Sequence, residues 1–415
     1  MATKTRIAKN VLYYFMCSIY GGIIALIVWA FLKVMALSQE LLWEYIPSKI
    51  HIPFYTIIVC LIGGVLIGII QTKYGILPDE LNTVMGKVKK ENFYPYENMG
   101  VVLICALLPL IFGGSVGPEA GLTGVIVGLC YWAGDHLNKI NSRLVNIQSM
   151  SLTSVIGVIF GTPLFGFAVS FEEHIKYYRE NKFPKLKKVL SNLICGFSAF
   201  GAYFLISKLL GGGMSMPRID FPEITNYDRM WSLAIIAIGI VAGIFYIAFE
   251  KLADVVFEKL DNKLPHIVST VLGGLILGIM GTYFPLTMFS GEEQIEILGE
   301  TYRDFAPYLL IVTGVLKLMI TSICIKSGFR GGHFFPVIFS GISIGYGVAV
   351  LFGFNISFCT AVVTASLLGV VMKKPIAVSL LLMLCFPLRI IPWLVIGAFV
   401  ASLVPVDKIF KKAKS

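Results

Sequence analysis

Two short segments combine paired glycines with a proline four residues further on, a pattern that can build an anion site from backbone alone. Gly113–Pro118 reads GGSVGP and Gly331–Pro336 reads GGHFFP. A second proline break follows each of them, at Pro163 and at Pro375. Because both breaks recur in the same order and at nearly the same offset, the chain is predicted to contain two related halves.

Each GGxxxP segment is predicted to place exposed backbone N–H groups at the start of a helix. Proline is favoured at the first helical position, where its missing N–H costs nothing, and glycine lets the preceding chain approach other groups closely. The N-terminal end of a helix carries roughly half a positive elementary charge, so it attracts anions without a buried cation. Such a site binds weakly enough to release its ion, which conduction requires.

The composition indicates a chain that lies largely in lipid. Of its 415 residues 57% are hydrophobic and 14% are charged, and the mean hydropathy is +0.82. Soluble domains carry roughly 25% charged residues. The net charge of +10 would favour nucleic-acid binding in a soluble protein, but the basic residues lie between apolar runs and at the two ends. The expected surroundings are a lipid bilayer, with no nucleic-acid partner.

Basic clusters predict the orientation of the chain in the cell membrane. Lysines and arginines gather at residues 4–9, 176–188 and 408–414. Since loops rich in these residues stay in the cytoplasm, both termini are predicted to be cytoplasmic. The first apolar run, Val11–Leu32, is too long for a signal-peptide core and predicts a spanning helix.

Neither cofactor chemistry nor an enzyme is expected. None of the eight cysteines forms a CxxC pair, and each lies in or beside an apolar run, so we expect buried thiols and no metal. The apolar runs contain no HExxH, paired-aspartate or Ser/His constellation.

The apolar segments predict an all-α membrane protein of two inverted-topology halves, with many tilted and broken helices. Residues 1–210 are assigned to the first half, 211–229 to a connector and 230–405 to the second half, with 406–415 as a short basic tail and no regulatory domain. The continuous spanning candidates are Val11–Leu37, Phe54–Ile70, Val189–Leu210, Trp231–Phe249, Ile267–Met280 and Leu309–Ile325. The other apolar stretches, Phe334–Phe354 among them, are broken by glycine and proline, which at bilayer depth marks binding sites.

As a set, these segments resemble the CLC family of chloride channels and chloride–proton antiporters. GGSVGPEAGLTG, from residue 113, resembles the first filter segment, whose usual form is GREGP. SGFRGGHFFPVIFSGISIG, from residue 327, resembles the GxFxP segment of the second half. YGILPDEL, from residue 74, resembles the GSGIP segment, and GTPLFGFAVSFEE, from residue 161, resembles the helix that ends in paired acids. The resemblance covers nearly the whole chain and implies the CLC-like fold.

Carried over position by position, the resemblance implies a site for a small anion, with chloride as the default. The anion would meet the backbone amides of Ser115, Val116, Gly117, His333 and Phe334. Phe334 matches the filter phenylalanine, and for His333 the amide rather than the ring is expected to contribute. Glu173 matches the acid that passes protons on the intracellular side of the exchangers.

Three departures from the family pattern predict a weaker or differently built site. Val116 stands where the family has its gating glutamate, and a valine carries no proton. Gly75 stands near the position of the GSGIP serine and is predicted to be among the anion-binding residues, but the hydroxyl that helps hold the central ion is missing. The pore tyrosine would fall after the last helix, in VPVDKIFKKAKS, which has none.

Three charged residues have alternative interpretations. Glu119, three residues after Val116, either replaces the missing gate and proton carrier or simply caps a helix start, where the dipole favours a carboxylate. Glu173 either accepts protons or is solvated at the start of a charged loop. Lys317, within an apolar run, either snorkels to an interface or faces the anion path.

The predicted function is transport of a small anion by a homodimer with one pore per subunit, as the resemblance implies. Passive conduction is preferred because Val116 lacks the coupling carboxylate, and proton-coupled exchange through Glu119 is the alternative. Fluoride export is a further alternative. A secondary transporter of another solute is the rival class, although few acids lie at mid-span apart from Glu119.

Overall fold

The protein is all-α, as predicted. The computed structural model describes residues 2–50, 52–79, 83–84, 98–136, 144–165, 168, 186–212, 219, 223–383 and 385–406. Up to residue 212 the helices are α1 (Ala2–Glu40), α2 (Ile46–Lys49), α3 (Tyr55–Tyr74), α4 (Met99–Ile111), α5 (Glu119–His136), α6 (Leu144–Ile159) and α7 (Leu186–Leu210). Those that follow are α8 (Asn226–Met230), α9 (Ser232–Asp261), α10 (His266–Tyr283), α11 (Glu292–Thr301), α12 (Pro307–Ser327), α13 (Phe334–Phe352), α14 (Ile356–Met372), α15 (Pro375–Leu382) and α16 (Ile391–Ser402).

The helices are those of a protein that crosses the membrane several times. Among the described residues seven segments are long and apolar enough to span it: Asn10–Lys49, Tyr55–Tyr74, Val189–Leu210, Ser232–Asp261, His266–Tyr283, Pro307–Ser327 and Phe334–Phe352. Six of them coincide with the predicted continuous spans. The seventh, α13, was expected to be broken, but Pro336 lies in its first turn, where N–H groups lack intrahelical acceptors anyway. The helix therefore runs unbroken.

By internal contacts the chain forms two compact units, each described by itself. The first unit comprises Met1–Glu40, Pro78–Ile104 and Glu119–Ser215, and the second comprises Leu41–Leu77, Cys105–Pro118 and Met216–Ser415. These units interleave along the sequence, so they do not test the predicted relation between halves 1–210 and 230–405, which stays a prediction. The connector 211–229 is described only in part, and the tail beyond residue 406 lies outside the described residues.

In the first unit α1 packs along α7 and also contacts α6. A Cβ at Gly21 would collide with the carbonyl oxygen of Cys195, so glycine lets α1 approach the backbone of α7. The hydroxyls of Tyr20 and Ser151 lie 2.6 Å apart. A polar contact therefore joins α1 to α6 in addition to apolar packing.

In the second unit α3 and α10 cross closely through glycines. A Cβ at Gly64 would lie 2.6 Å from the carbonyl oxygen of Thr270, and one at Gly278 would lie 2.7 Å from the Cα of Ile57. Small residues let helix backbones meet in a membrane, where lipid is as apolar as the side chains and packing drives association. This crossing brings the end of α3 against the start of α10.

Helices α13 and α14 form the interior of the second unit. Every residue from Phe334 to Ala349 is buried, and so is every residue from Ser357 to Val370. A helix that is apolar all round is placed inside a protein. The N-terminal end of α13, with its positive dipole, consequently lies in the interior rather than at the surface.

Candidate functional site

The first GGxxxP segment forms a tight irregular turn that follows α4. Gly113 has a φ of +79°, a conformation that favours glycine. The Gly114 N–H donates to the Pro109 carbonyl at 2.7 Å, and the Val116 N–H donates to the Gly114 carbonyl at 2.8 Å. The turn is thus stabilised by its own backbone hydrogen bonds.

The two GGxxxP segments meet directly inside the second unit. Gly117 and Gly332 exchange two backbone hydrogen bonds, each 2.7 Å long from nitrogen to oxygen. A Cβ at Gly331 would lie 2.6 Å from the Cβ of Val116, whose side chain is fully buried at this junction. Only glycine permits so close an approach. The two segments that share the GGxxxP pattern therefore lie in direct contact in the structure.

The amides of the first segment are engaged within the protein. The Val116 N–H donates to the Gly114 carbonyl and the Gly117 N–H donates to the Gly332 carbonyl. An anion would have to displace these bonds to reach the amides of Val116 and Gly117. The anion contacts of Ser115, Val116 and Gly117 stay a prediction, and those of Val116 and Gly117 require a rearrangement of this segment.

The second segment leads into the buried start of α13. Gly328 ends α12 with a φ of +113°, and α13 begins at Phe334. The Val337 N–H returns to the His333 carbonyl at 3.1 Å, so the N–H groups of the first turn have no acceptor within the helix. The rings of His333 and Phe334 pack edge to face, 4.7 Å apart, and Tyr246 lies 5.9 Å from His333. The histidine ring is therefore packed among aromatic rings.

Helix α12 holds the first segment through polar side chains. Thr321 Oγ1 lies 3.0 Å from Ser115 Oγ and donates to the Lys317 carbonyl at 2.8 Å. Because a hydroxyl has one proton, Ser115 is the donor to Thr321 when Thr321 donates to Lys317. The side chain of Ser115 is therefore tied to α12.

Lys317 is fully buried and clamps the loop between α10 and α11. Its Nζ donates to the carbonyls of Leu286, Met288 and Phe289 at 3.3, 2.7 and 3.0 Å. Three carbonyls thus match the three protons of the ammonium group. These are the contacts of a loop clamp, not of a snorkelling side chain. A charged residue inside an apolar span is costly and is usually functional, so the position of Lys317 in the sequence was one signal for such a role. Its carbonyl partners carry no sequence signature.

The clamped loop binds the first segment in turn. The Phe289 N–H donates to the Gly113 carbonyl at 3.1 Å. The Trp43 indole N–H donates to the Ile111 carbonyl at 2.8 Å, and the Trp43 ring packs edge-on against Phe289 at 5.3 Å. Hydrogen bonds therefore connect Lys317 to the first segment through the loop.

Gly75 ends α3 in a conformation that explains its residue type. Its N–H donates to the Gln71 carbonyl at 2.9 Å, and its φ and ψ are +88° and 171°. This region of backbone space is essentially reserved for glycine, so a serine here would be strained. Among the described residues, no atom outside its neighbours in the chain lies within 4 Å of a Cβ at this position. Its contact with an ion stays a prediction.

The two candidate acids are in different situations. Glu119 is 1% exposed at the start of α5, and its backbone carbonyl accepts a hydrogen bond from the Thr123 hydroxyl at 2.6 Å. Glu119 belongs to the first compact unit and Val116 to the second, and a gating or proton-carrying role for Glu119 stays a prediction. Glu173 lies outside the described residues.

Comparisons with known proteins agree on one family. Residues 63–405 match the family model described as "Voltage gated chloride channel". A protein named "Putative ion-transport protein YfeO" from Escherichia fergusonii is 27% identical over 336 residues, which cover 77% of this chain and 75% of the relative. The protein of the same name from Salmonella choleraesuis is 25% identical over 334 residues, covering 79% and 78%.

Two solved structures share the fold over almost the entire chain. A CLC-type fluoride/proton antiporter superposes with a TM-score of 0.75 at 19% identity, covering 96% of both chains. A slow cyanobacterial Cl⁻/H⁺ antiporter superposes with the same score at 17% identity, covering 98% of both chains. These likenesses confirm the predicted fold of broken and tilted membrane helices.

Proposed function

We propose that this chain, which belongs to the voltage-gated chloride channel (CLC) family, carries small anions across the membrane past the junction of its two GGxxxP segments. The family is one of ion channels and transporters rather than enzymes. The observation that supports the site most is the pair of hydrogen bonds between Gly117 and Gly332. It brings the start of α13 to the first segment within the protein interior.

The backbone supplies the attraction for the anion. The positive end of the α13 dipole favours a negative charge at Phe334. Because Phe334 is only 8% exposed, water screens this partial charge less than it would at the surface. Amide dipoles hold a monovalent anion more loosely than a buried lysine or arginine would, which allows release.

Chloride is the ion proposed, because the filter segments resemble those of the chloride family. Of the two similar structures, one is a fluoride/proton antiporter and the other a Cl⁻/H⁺ antiporter. At 19% and 17% identity they share the fold alone with this chain, so fluoride is the alternative ion to be measured in the same assay.

Passive conduction is the proposed mode of transport. Val116 is an apolar, fully buried side chain at the point where the family places its gating carboxylate. It provides no group that moves a proton with the anion. Proton-coupled exchange is the second candidate, and it is favoured by the burial of Glu119, since acids inside membrane helices are costly and usually functional.

Reconstitution of the full chain in liposomes under an outward chloride gradient tests both modes. Chloride efflux without pumping of protons is expected, at equal rates in the wild type and in Glu119→Gln. Uphill proton movement driven by chloride, lost in Glu119→Gln, would overturn passive conduction in favour of exchange. Absence of efflux of chloride and of fluoride alike would overturn anion transport itself.

The proposed assembly is a homodimer with one pore per subunit in the cell membrane, with both termini in the cytoplasm. The basic clusters near both ends of the sequence support this orientation. Cross-linking in the native membrane and protease access from either side would test the two statements.

A further inference from the structure

A chain of polar groups joins the ends of α3, α9 and α10 to the backbone that leads into the second segment. Gln71, near the end of α3, is buried. Its side-chain nitrogen donates to the carbonyl of Gly328 at 2.9 Å and to that of Leu77 at 3.0 Å. One amide therefore holds two loops, the one that ends α12 and the one that follows α3.

These two donations orient the Gln71 amide. With its nitrogen on the two carbonyls, its oxygen faces His266, whose Nε2 lies 2.9 Å away. An amide oxygen only accepts hydrogen bonds, so Nε2 must carry a proton. On the other side of the ring, Nδ1 lies 2.9 Å from a carboxylate oxygen of Asp261, and the second oxygen of Asp261 accepts from the Ser269 hydroxyl.

The whole network therefore forms only when both ring nitrogens of His266 are protonated. Among the described residues, Asp261 is the charged partner within ion-pair distance of the ring. Lys326, in the last turn of α12, pairs instead with Glu250 and Asp254 on α9. The charge of the His266 imidazolium is thus balanced by the Asp261 carboxylate, and its Nε2–H donates to the Gln71 oxygen.

The second segment begins directly on this network. A Cβ at Gly328 would lie 2.8 Å from the Gln71 side-chain oxygen and 3.1 Å from His266 Nε2. Residue 328 must therefore be glycine for two reasons: its φ is positive, and a Cβ would be too close to Gln71 and His266. Any change in the Gln71–His266 hydrogen bond consequently alters the packing against Gly328, the first residue of the turn that leads to α13.

We propose that Gln71 and His266 are positioning residues of the anion pathway, and that protonated His266 holds the turn from Gly328 to α13 in place for its bridge with Gly117. This inference rests on the proposed anion transport. A side chain at position 266 that cannot donate leaves the Gln71 oxygen without this hydrogen bond, so the amide can turn away from the two loop carbonyls. The turn then loses an anchor, and anion flux falls.

The test is chloride efflux from liposomes that contain the full chain. His266→Leu removes the donor to Gln71 and is expected to lower the efflux rate several-fold relative to the wild type. His266→Gln keeps an amide that can donate to Gln71 and is expected to recover most of that rate. His136→Leu, which changes a histidine of the other compact unit, is the matched control and should keep the wild-type rate.

A second measurement is independent of transport. Solid-state NMR of ring ¹⁵N-labelled histidine should show a ring with protons on both Nε2 and Nδ1, and its signals should be missing in His266→Gln. An Nε2 without a proton in this ring, or an efflux rate in His266→Leu equal to that of the wild type, would overturn this inference alone. A wild type that moves no anions would overturn the proposed function and this inference with it.

Discussion

The two GGxxxP segments share a pattern but are held in different ways. In the first, every residue from Gly113 to Gly117 takes part in a hydrogen bond within the second unit. In the second, the Gln71 side chain holds the Gly328 carbonyl and Gly332 pairs with Gly117, and α13 begins directly afterwards. The first segment is therefore held by hydrogen bonds along its whole length, whereas the second leads into the start of α13.

This difference shows that a repeated motif does not repeat its role. The anchors of the first segment, Lys317 and Thr321, lie on α12, outside either motif. The asymmetry between the segments therefore comes from the surrounding helices. Three substitutions, taken from the largest expected effect to the smallest, test how this asymmetry affects stability and transport.

Substitution of Lys317 is expected to have the largest effect, because it destabilises the loop that holds the first segment. In Lys317→Met three loop carbonyls lose their donor inside the protein, which lowers the free energy of unfolding by roughly 2–4 kcal/mol. The loop then no longer holds Gly113, and transport falls with stability. Unfolding in mild detergent with increasing SDS measures the loss.

Lys326→Met is the matched control for that variant, because Lys326 lies on the same helix. Its ion pairs with Glu250 and Asp254 are partly exposed, and such pairs are worth about 0–1 kcal/mol. Equal stability of the two variants would show that the first segment does not depend on the clamp.

Gly331→Ala acts on the junction itself and is expected to have the second largest effect. The new methyl would meet the Val116 Cβ at 2.6 Å and the Gly117 carbonyl at 3.0 Å. Overpacking of this kind costs roughly 1–3 kcal/mol of stability, and the displaced junction is expected to lower chloride flux several-fold. The double variant Gly331→Ala/Val116→Gly removes the Val116 Cβ and should recover most of the flux. Failure to recover would mean that Val116 does not pack on Gly331 during transport.

Thr321→Val is expected to have the smallest effect. It keeps the shape of the side chain but removes the hydrogen bonds to the Ser115 hydroxyl and to the Lys317 carbonyl, and the loss of the first costs about 1 kcal/mol of stability. Ser115→Ala should cost a similar amount, and the double variant should cost less than the sum because both remove one contact. Strict additivity in urea or SDS unfolding would contradict the pairing of the two hydroxyls.

The sequence was sufficient to predict the fold class, the family and the meeting of the two segments. The repeated glycines and prolines carry that information because they report backbone requirements that no other residue meets, as at Gly331. Pro336 was interpreted both as part of a helix start and as a break in the apolar stretch, and the structure supports the first interpretation, because α13 begins only two residues earlier.

The hydrogen-bond partners could not be predicted from the sequence. The amides of Val116 and Gly117 bind backbone carbonyls, and any residue supplies a carbonyl. The role of Gln71 likewise depends on the glycine-mediated crossing of α3 and α10, which brings His266 within its reach. Such contacts are set by packing between distant elements rather than by local residue types.

The central claim is that an anion binds at the buried start of α13. The most direct measurement is an anomalous difference map from crystals of the transport-competent chain grown with bromide in place of chloride. A bromide peak within hydrogen-bond distance of the backbone N–H groups at His333 and Phe334 is predicted. Bromide peaks elsewhere in the membrane region, with none at that helix start, would contradict the claim.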